Sequence, residues 1–385
     1  MEIETMEKRL IIVDISSFIF RAFYAIRPMN APDGTPTNAV NGVLSMLLKL
    51  IEKYEPSHLV LAQDSKEKTF RHDMYEDYKA NRSDPPEDLI PQFGLINEMT
   101  NQMGLKCKQI IGYEADDIIG SLCSQWKGFF EEVLIASSDK DLMQFVGENV
   151  FMLDTMKDIK YDLNGVKDKM GVWPNQIVDF LSIVGDSSDN VPGMKGIGVK
   201  GASQLLAQYG TLDGCIQNKH ELKGKRVIDA FNNHIADAEL SRRLVSIKCD
   251  LELGFEVDQS KLEFYPKEEL IQFLKDLGFK RDVARLEKLA LSLDAPDGGE
   301  GKKNIGEQFE CAVVQSDKEL KEIKLLLEQH NNLSLFTEFK DSNSVQKEVI
   351  GLSVSFEGKK AFYLESESKF FDSFLKLIEG KPSIE

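Results

Sequence analysis

The chain has 385 residues, of which 42% are hydrophobic and 29% charged, and its formal net charge is −17. This length is enough for two or three domains with cores of their own, and the composition is that of a globular protein. No apolar run is long enough to cross a bilayer and the N-terminus lacks the shape of a signal peptide, so we expect a cytoplasmic protein. The five cysteines are scattered without a C-x-x-C pair, which argues for reduced thiols and against a zinc site. The acidic balance also disfavours a polyanionic partner unless local basic segments meet it.

Three short apolar runs in the first 140 residues are each followed by acidic side chains, a pattern typical of buried parallel strands that end in polar turns. Helical periods separate them at 39–54 and 87–103, and further strands are predicted at 105–111 and 149–154. Alternating strands and helices predict an α/β fold with a doubly wound, mostly parallel sheet. The runs lie at 9–13, 58–63 and 132–138, and the acids after them are Asp14, Asp64, Asp139 and Asp141.

A fourth group of acids stands in the first turn of a predicted helix. Its apolar residues recur at helical spacing, which puts the acids on the opposite face. A helix N-terminus favours negative charge, but three acids in one turn repel each other unless a cation lies between them. Taken alone, this segment could be a solvated acidic turn, and Asp139 could simply cap a helix. The apolar residues are Ala115, Ile118, Ile119 and Leu122, and the acids are Glu114, Asp116 and Asp117.

Acids at four strand ends in succession are hard to assign to capping alone. In an open parallel sheet, ligands bind beyond the carboxyl ends of the strands, so these acids should collect at one edge. Carboxylate oxygens without His or Cys nearby suit Mg²⁺ or Mn²⁺ rather than zinc. The sequence therefore predicts a divalent-metal site at this edge.

Beyond residue 163 the strand signals stop and helices are predicted through about residue 291, the first at 174–184. The turn at 185–193 adds two acids, Asp186 and Asp189. After it, a Gly-x-Gly turn precedes a helix, an arrangement in which backbone N–H groups can converge on a phosphate. Residues 190–230 hold six Lys/Arg against three Asp/Glu, so this segment can meet a phosphodiester strand. The residues of the turn are Lys195, Gly196, Ile197, Gly198 and Lys200.

A Gly-rich charged stretch at 292–308 is predicted to be a linker. After it the pattern is strand, helix (316–330) and three strands (333–339, 349–356, 360–364), the start of another α/β module. Its elements are too few for a comfortable closed core, so we expect the chain to be a fragment of something longer.

Several ordered motifs resemble the flap-endonuclease family, to which the 5′-nuclease domain of bacterial DNA polymerase I belongs. The resemblance covers roughly residues 8–290, and residues 309–385 resemble the opening of the 3′–5′ exonuclease domain of the same polymerases. There, Phe336 stands where the metal-binding Asp of the Asp-x-Glu motif belongs, so proofreading activity is not expected. The motifs are Ile12-Val13-Asp14, Phe70-Arg71-His72, Tyr78-Lys79-Ala80-Asn81-Arg82, Gly112 to Asp117, Asp139-Lys140-Asp141-Leu142 and Gly185 to Lys200.

The resemblance implies a PIN/flap-endonuclease-like fold and a structure-specific 5′ nuclease, both 5′–3′ exonuclease and 5′-flap endonuclease, acting in primer removal and repair. It implies a catalytic core at 1–165 with an arch at 65–90, and a helical DNA-binding subdomain at 166–291 with a helix-hairpin-helix motif at 185–210. A linker at 292–308 and a partial, inactive exonuclease-like domain at 309–385 follow. The implied partners are nicked or branched DNA with a 5′ end or flap, including RNA primers, bound by a monomer.

The same resemblance implies two or more Mg²⁺, replaceable by Mn²⁺, and a K⁺ at the hairpin. By analogy Asp14, Asp64 and Asp116 lie nearer the first ion and Asp139, Asp141 and Asp186 nearer the second. Glu114, Asp117 and Asp189 complete the carboxylate set. Lys79 and Arg82 contact the scissile phosphate and its neighbours, Arg71 assists, and Tyr78 stacks on an unpaired base. The Lys195–Lys200 turn holds the duplex backbone.

Three other interpretations stay open from the sequence. An aspartyl phosphatase would need a second acid two residues after Asp14, where Ser16 stands. A non-catalytic module that binds branched DNA would share the basic segments but would not need the acid set. The segment after residue 309 fits a structural role.

Overall fold

The structure is a computed structural model that describes residues 7–262, 267–293, 310–329, 333–340, 348–356 and 360–378. The chain forms two compact units, Met1–Ala295 and Pro296–Glu385. None of the described helices is long and apolar enough to span a membrane.

The first unit is built on a six-stranded sheet in the order β3-β2-β1-β4-β5-β6. Neighbouring strands are parallel except for β6, which runs antiparallel to β5. The predicted doubly wound, mostly parallel sheet is therefore confirmed. The strands are β1 (Glu7–Asp14), β2 (His58–Gln63), β3 (Lys106–Gln109), β4 (Phe130–Ala136), β5 (Val150–Asp154) and β6 (Ile159–Tyr161).

Helices cover both faces of this sheet. Successive side chains of a strand point to opposite faces, so Ile11 and Val13 enter one hydrophobic cluster while Leu10 and Ile12 enter another. This two-sided burial explains why β1 is apolar throughout. The helices are α1 (Ile15–Ala25), α2 (Asn38–Tyr54), α3 (Phe70–Met74), α4 (Ile90–Gln102) and α5 (Ala115–Trp126).

The rest of the first unit is helical, as predicted, but it does not share one core. The helices from α6 to α11 surround a third hydrophobic cluster, which we call the helical core. In contrast, α12 and α13 pack apolar side chains, among them Leu270 and Leu286, into the cluster beneath α2. The helices are α6 (Leu163–Met170), α7 (Ile177–Val184), α8 (Val199–Tyr209), α9 (Leu212–Gln217), α10 (Lys225–Asn233), α11 (Ile235–Val245), α12 (Glu268–Asp276) and α13 (Lys280–Leu293).

The second unit has a four-stranded sheet in the order β7-β10-β9-β8 with a small core that includes Val354, Phe362 and Phe374. The backbone of Phe336 lies in β8, and its side chain is outside the described residues, as is most of the predicted linker at 292–308. The elements are β7 (Glu310–Val313), α14 (Asp317–Gln329), β8 (Leu333–Lys340), β9 (Glu348–Phe356), β10 (Lys360–Glu365) and α15 (Lys369–Ile378).

Candidate metal and nucleic-acid site

The carboxyl ends of β1, β2 and β4 open into one pocket with a volume of about 440 Å³. Acids from five separate segments line it, at the edge of the sheet where the sequence predicts them. Two basic side chains of the 65–90 segment and Lys140 face the same space. The acids are Asp14, Asp64, Asp116, Asp139, Asp186 and Asp189, and the two bases are Lys79 and Arg82.

The strand-end acids are held by local hydrogen bonds as well as facing the pocket. Asp14 caps α1 by accepting from the Ser17 backbone N–H at 2.9 Å, and its other oxygen accepts from the Ser137 hydroxyl at 2.9 Å. Asp64 accepts from the Ala115 N–H at 2.8 Å, which ties β2 to the start of α5. The same hydrogen bonds that cap the helices therefore fix these carboxylates where they line the pocket, Asp14 through both oxygens and Asp64 through one.

Burial and mutual repulsion disfavour the charged forms of these acids. Burial, together with the Asp64 charge, raises the pKa of Asp14 from 3.8 to about 7. Burial and the charges of Asp139 and Asp14 raise the pKa of Asp116 well above its ordinary value. The pKa of Asp141 is raised in the same way, by burial and then by Asp139 and Asp186. A cation among these oxygens would relieve both effects.

The donor set fits a hard divalent ion. The six acids that line the pocket all offer oxygen. The predicted ligand Asp141 is not among the described residues that line it, but its backbone N–H donates to Asp139 and its Oδ1 atom is buried without a hydrogen-bond partner. Among the described residues, no three acid, His or Cys side chains are already drawn close enough to hold an ion. Lysines instead neutralise some of the acids, since Lys140 Nζ lies 2.9 Å from Asp186 Oδ2. Hydrogen bonds from Ser188 and this lysine lower the pKa of Asp186 although burial opposes them.

Asp117 and Arg71 are not part of the pocket, which corrects their predicted roles as metal ligand and catalytic assistant. Both are buried, and the guanidinium donates to both oxygens of Asp117 at 2.7 and 2.8 Å. Asp117 also accepts from the backbone N–H of Lys248, while Arg71 donates to the carbonyl of Leu244. With these bonds the pair joins α3, α5, the last turn of α11 and the chain that follows it, which is a structural role.

The predicted role of Tyr78 in stacking on a base is also wrong, because this residue is 4% exposed and packs in the helical core. It cannot stack on a base in this position. Its hydroxyl donates to Glu114 Oε2 at 3.1 Å, and the other Glu114 oxygen accepts from Lys79 Nζ at 2.6 Å. Glu114 therefore holds the lysine at the rim of the pocket and is not among the described residues that line it.

Lys79 combines an unusual backbone with a partly buried ammonium group. Its φ of 55° lies in the left-handed region, which costs a non-glycine residue about 1–2 kcal/mol. Although burial works against its charge, Glu114 and Asp189 raise the pKa of Lys79. The more exposed Arg82 pairs with Asp189, and here too the carboxylate outweighs burial and raises the pKa of Arg82. Both residues are thus cationic beside the acids.

The turn at 194–200 has the predicted form. Gly196 has a φ of 100° and Gly198 stands at the N-cap of α8. Lys195 before the helix and Lys200 in its first turn are both exposed. The side chain of Ile197 is buried in the helical core, so only its backbone can take the predicted DNA contact.

Comparison with known proteins shows the family of this chain. Residues 9–171 match the family model described as the 5′-3′ exonuclease, N-terminal resolvase-like domain, and residues 172–268 match the 5′-3′ exonuclease, C-terminal SAM fold. The chain is 38% identical over 284 residues to a 5′-3′ exonuclease of Aquifex aeolicus, a match that covers 73% of this chain and 96% of the relative. The chain belongs to the 5′-3′ exonuclease family.

This exonuclease-family chain is also similar to DNA polymerase I in sequence and to a solved exonuclease in fold. It is 32% identical over 383 residues to DNA polymerase I of Caldicellulosiruptor bescii, which covers 96% of this chain and 41% of the relative. The chain spans less than half of the length of these polymerases. In fold it is similar to T5 5′-exonuclease solved with zinc bound, with a TM-score of 0.54, 20% identity and coverage of 74% of this chain and 99% of that one.

Some pocket residues were missed by the sequence reasoning. Ser16, Ser17 and Phe20 come from α1, a helix that the sequence pattern did not predict. Asp14, directly before the first helical residue Ile15, is an N-cap signal that could have located the helix. Lys140 and Ser188 lie inside motifs that were read only for their acids.

Proposed function

We propose that the chain is a structure-specific 5′ nuclease, acting as 5′–3′ exonuclease and 5′-flap endonuclease, and that it is the N-terminal part of a DNA polymerase I. The observation that carries this proposal is the pocket itself. Six carboxylates from distant segments line it together with Lys79 and Arg82. Family membership supports phosphodiester hydrolysis as the reaction.

The pocket would hold two or more Mg²⁺, for which Mn²⁺ could substitute. Asp14, Asp64 and Asp116 are assigned to one ion, and Asp139, Asp141 and Asp186 to the other. When bound, such ions activate water and stabilise the leaving oxygen of an in-line displacement. The raised pKa values of Asp14 and Asp116 support the uptake of cations there. Asp189 is assigned to Arg82, with which it pairs, rather than to either ion.

The basic residues at the rim would bind the scissile strand. Lys79 would exchange its bond with Glu114 for one with the scissile phosphate, and Arg82 would exchange Asp189 for a neighbouring phosphate. In each exchange the ammonium or guanidinium group keeps its charge while phosphate replaces carboxylate. Donors that stabilise developing charge in this way lower the activation barrier.

The exposed turn with Lys195 and Lys200 would hold the duplex backbone through its N–H groups, with a K⁺ at the hairpin. The segment 65–90 would form the arch for a single-stranded 5′ end. The substrates would be nicked or branched DNA, including RNA primers, met by one copy of the chain in the cytoplasm during primer removal and repair. For residues 309–385 we propose a structural role, since Phe336 replaces a metal-binding Asp.

A cleavage assay on a nicked double-flap duplex tests the proposal. With Mg²⁺ the chain should release the 5′ flap and leave a 5′ phosphate, and with EDTA it should not. Asp116→Asn should abolish cleavage while binding in Ca²⁺ persists. Asp168→Asn, at an exposed acid of α6, is the matched control and should cleave normally. Binding without cleavage by the unaltered chain would instead identify a non-catalytic branched-DNA module.

A further inference from the structure

Two loop segments meet beside the pocket, residues 77–82 and residues 187–190, which we call together the clasp. Each contributes pocket residues, Lys79 and Arg82 from one side and Asp189 from the other. They are more than a hundred positions apart in the chain. Glu114 holds the ammonium group of Lys79, and the contact between these two segments holds its backbone at the rim.

Three hydrogen bonds join the clasp through backbone carbonyls. The Lys79 backbone N–H donates to the carbonyl of Asp189 at 3.0 Å. On one side of this bond the Asn81 side-chain amide donates to the carbonyl of Ser187 at 2.7 Å. On the other side the Asn190 side-chain amide donates to the carbonyl of Asp77 at 2.7 Å.

The order of these bonds is that of an antiparallel ladder. Position 77 faces 190, position 79 faces 189, and position 81 faces 187. Only the middle rung is a backbone pair, and the outer two use asparagine amides, whose NH₂ groups are donors like a peptide N–H. Asn190 has a φ of 57°, and asparagine is one of the few residues that adopts this conformation readily.

The base of the ladder is fixed independently. Asp186 and Val191 exchange two backbone hydrogen bonds, of 3.0 and 2.7 Å, which close the loop that carries Ser187 to Asn190. The opposite segment is closed by single turn hydrogen bonds, from the Ala80 N–H to the Asp77 carbonyl at 3.1 Å and from the Arg82 N–H to the Lys79 carbonyl at 3.0 Å, and it holds Lys79 in the left-handed region. Together with the ion pair between Arg82 and Asp189, the two asparagine rungs therefore oppose relaxation of the Lys79 backbone away from the pocket.

We propose that Asn81 and Asn190 are positioning residues, which hold Lys79 in register with Asp189 so that its ammonium group reaches the reacting phosphate. Neither asparagine is among the described residues that line the pocket. The kinetic part of this inference rests on the proposed nuclease function, whereas the structural part does not.

Hydrogen–deuterium exchange of the metal-free full chain tests the structural part. Asn81→Ala and Asn190→Ala should each raise the exchange rate of the peptide that contains the Lys79 amide. Asn101→Ala, at an exposed asparagine of α4, should leave that peptide unchanged. Unchanged exchange in both clasp variants would overturn the inference whether or not the chain proves to be a nuclease.

A double-mutant cycle on flap cleavage tests the kinetic part. Loss of one hydrogen bond of ordinary strength predicts about a fivefold fall in kcat for Asn81→Ala, with KM nearly unchanged. In a Lys79→Ala background the same substitution should have no further effect, because it acts through that lysine. A second fivefold fall in that background, or a change in KM alone, would show that Asn81 acts elsewhere. If the unaltered chain cleaves nothing, the proposed function fails and the exchange experiment still decides the clasp.

Discussion

Replacing Asp14 by asparagine should stabilise the metal-free protein while abolishing its activity. The folded-state pKa of Asp14 is raised from 3.8 to about 7, so the folded protein binds this proton more tightly than the unfolded chain does. The charged carboxylate therefore destabilises the fold above pH 7, and this contribution disappears as the pH falls towards 4. A shift of this size corresponds to about 4 kcal/mol at pH 8.

Asparagine removes the charge and keeps the shape. Its carbonyl can still accept from the Ser17 N–H, and its amide can donate to the Ser137 hydroxyl. Because neighbouring acids share the repulsion, we expect a gain of about 2–4 kcal/mol for Asp14→Asn in EDTA at pH 8.

Denaturant titration in EDTA at pH 8 and pH 5 measures this gain. The difference between the two proteins should be less than half as large at pH 5 as at pH 8. Saturating Mg²⁺ at pH 8 should reverse the order, because only the unaltered protein keeps all its ligands. A variant that is less stable than the unaltered protein in EDTA at pH 8, or a gain that is the same at both pH values, would refute the reasoning.

Two other substitutions separate structural from catalytic cations. Arg71→Ala should lower the free energy of unfolding by about 3–5 kcal/mol, because it leaves Asp117 buried and unpaired. The matched control Arg285→Ala, which breaks a partly exposed pair with Glu52, should cost less than about 1 kcal/mol in the same denaturant titration, and equal losses would argue against the buried pair. Lys79→Ala should lower kcat for flap cleavage on the order of 10²-fold with little change in affinity. If only affinity falls, Lys79 is a phosphate anchor.

Much of the site could be predicted because strand ends are visible in the sequence. Asp14, Asp64 and Asp139 follow apolar runs, and parallel strands bring their carboxyl ends to one edge whatever the intervening chain does. The prediction of a divalent-metal site followed from residue type alone. These inferences needed only local patterns and one rule of topology.

The misassigned residues depend on partners that are distant in the chain. Asp116 and Asp117 are adjacent, but successive helical residues point about 100° apart. One of them faces the pocket while the other faces Arg71, 46 positions away. The sequence around Tyr78 is typical of a loop, but its side chain is buried because it packs against apolar residues of the helical subdomain.

Helical periodicity likewise does not say which core a helix joins. The apolar faces of α12 and α13 resemble those of the other helices in residues 166–291. They nevertheless pack beneath α2 rather than in the helical subdomain's own cluster. Which cluster a helix joins depends on the shape of the surface that the rest of the fold presents to it, and a local sequence pattern carries no information about that shape.

The most direct test of the account is the position of bound Mn²⁺ in crystals of this chain, read from anomalous scattering. The account predicts at least two peaks in the pocket, one near Asp14 and Asp116 and another near Asp139 and Asp186. Peaks elsewhere, or a fully soaked crystal without a peak among these carboxylates, would contradict it.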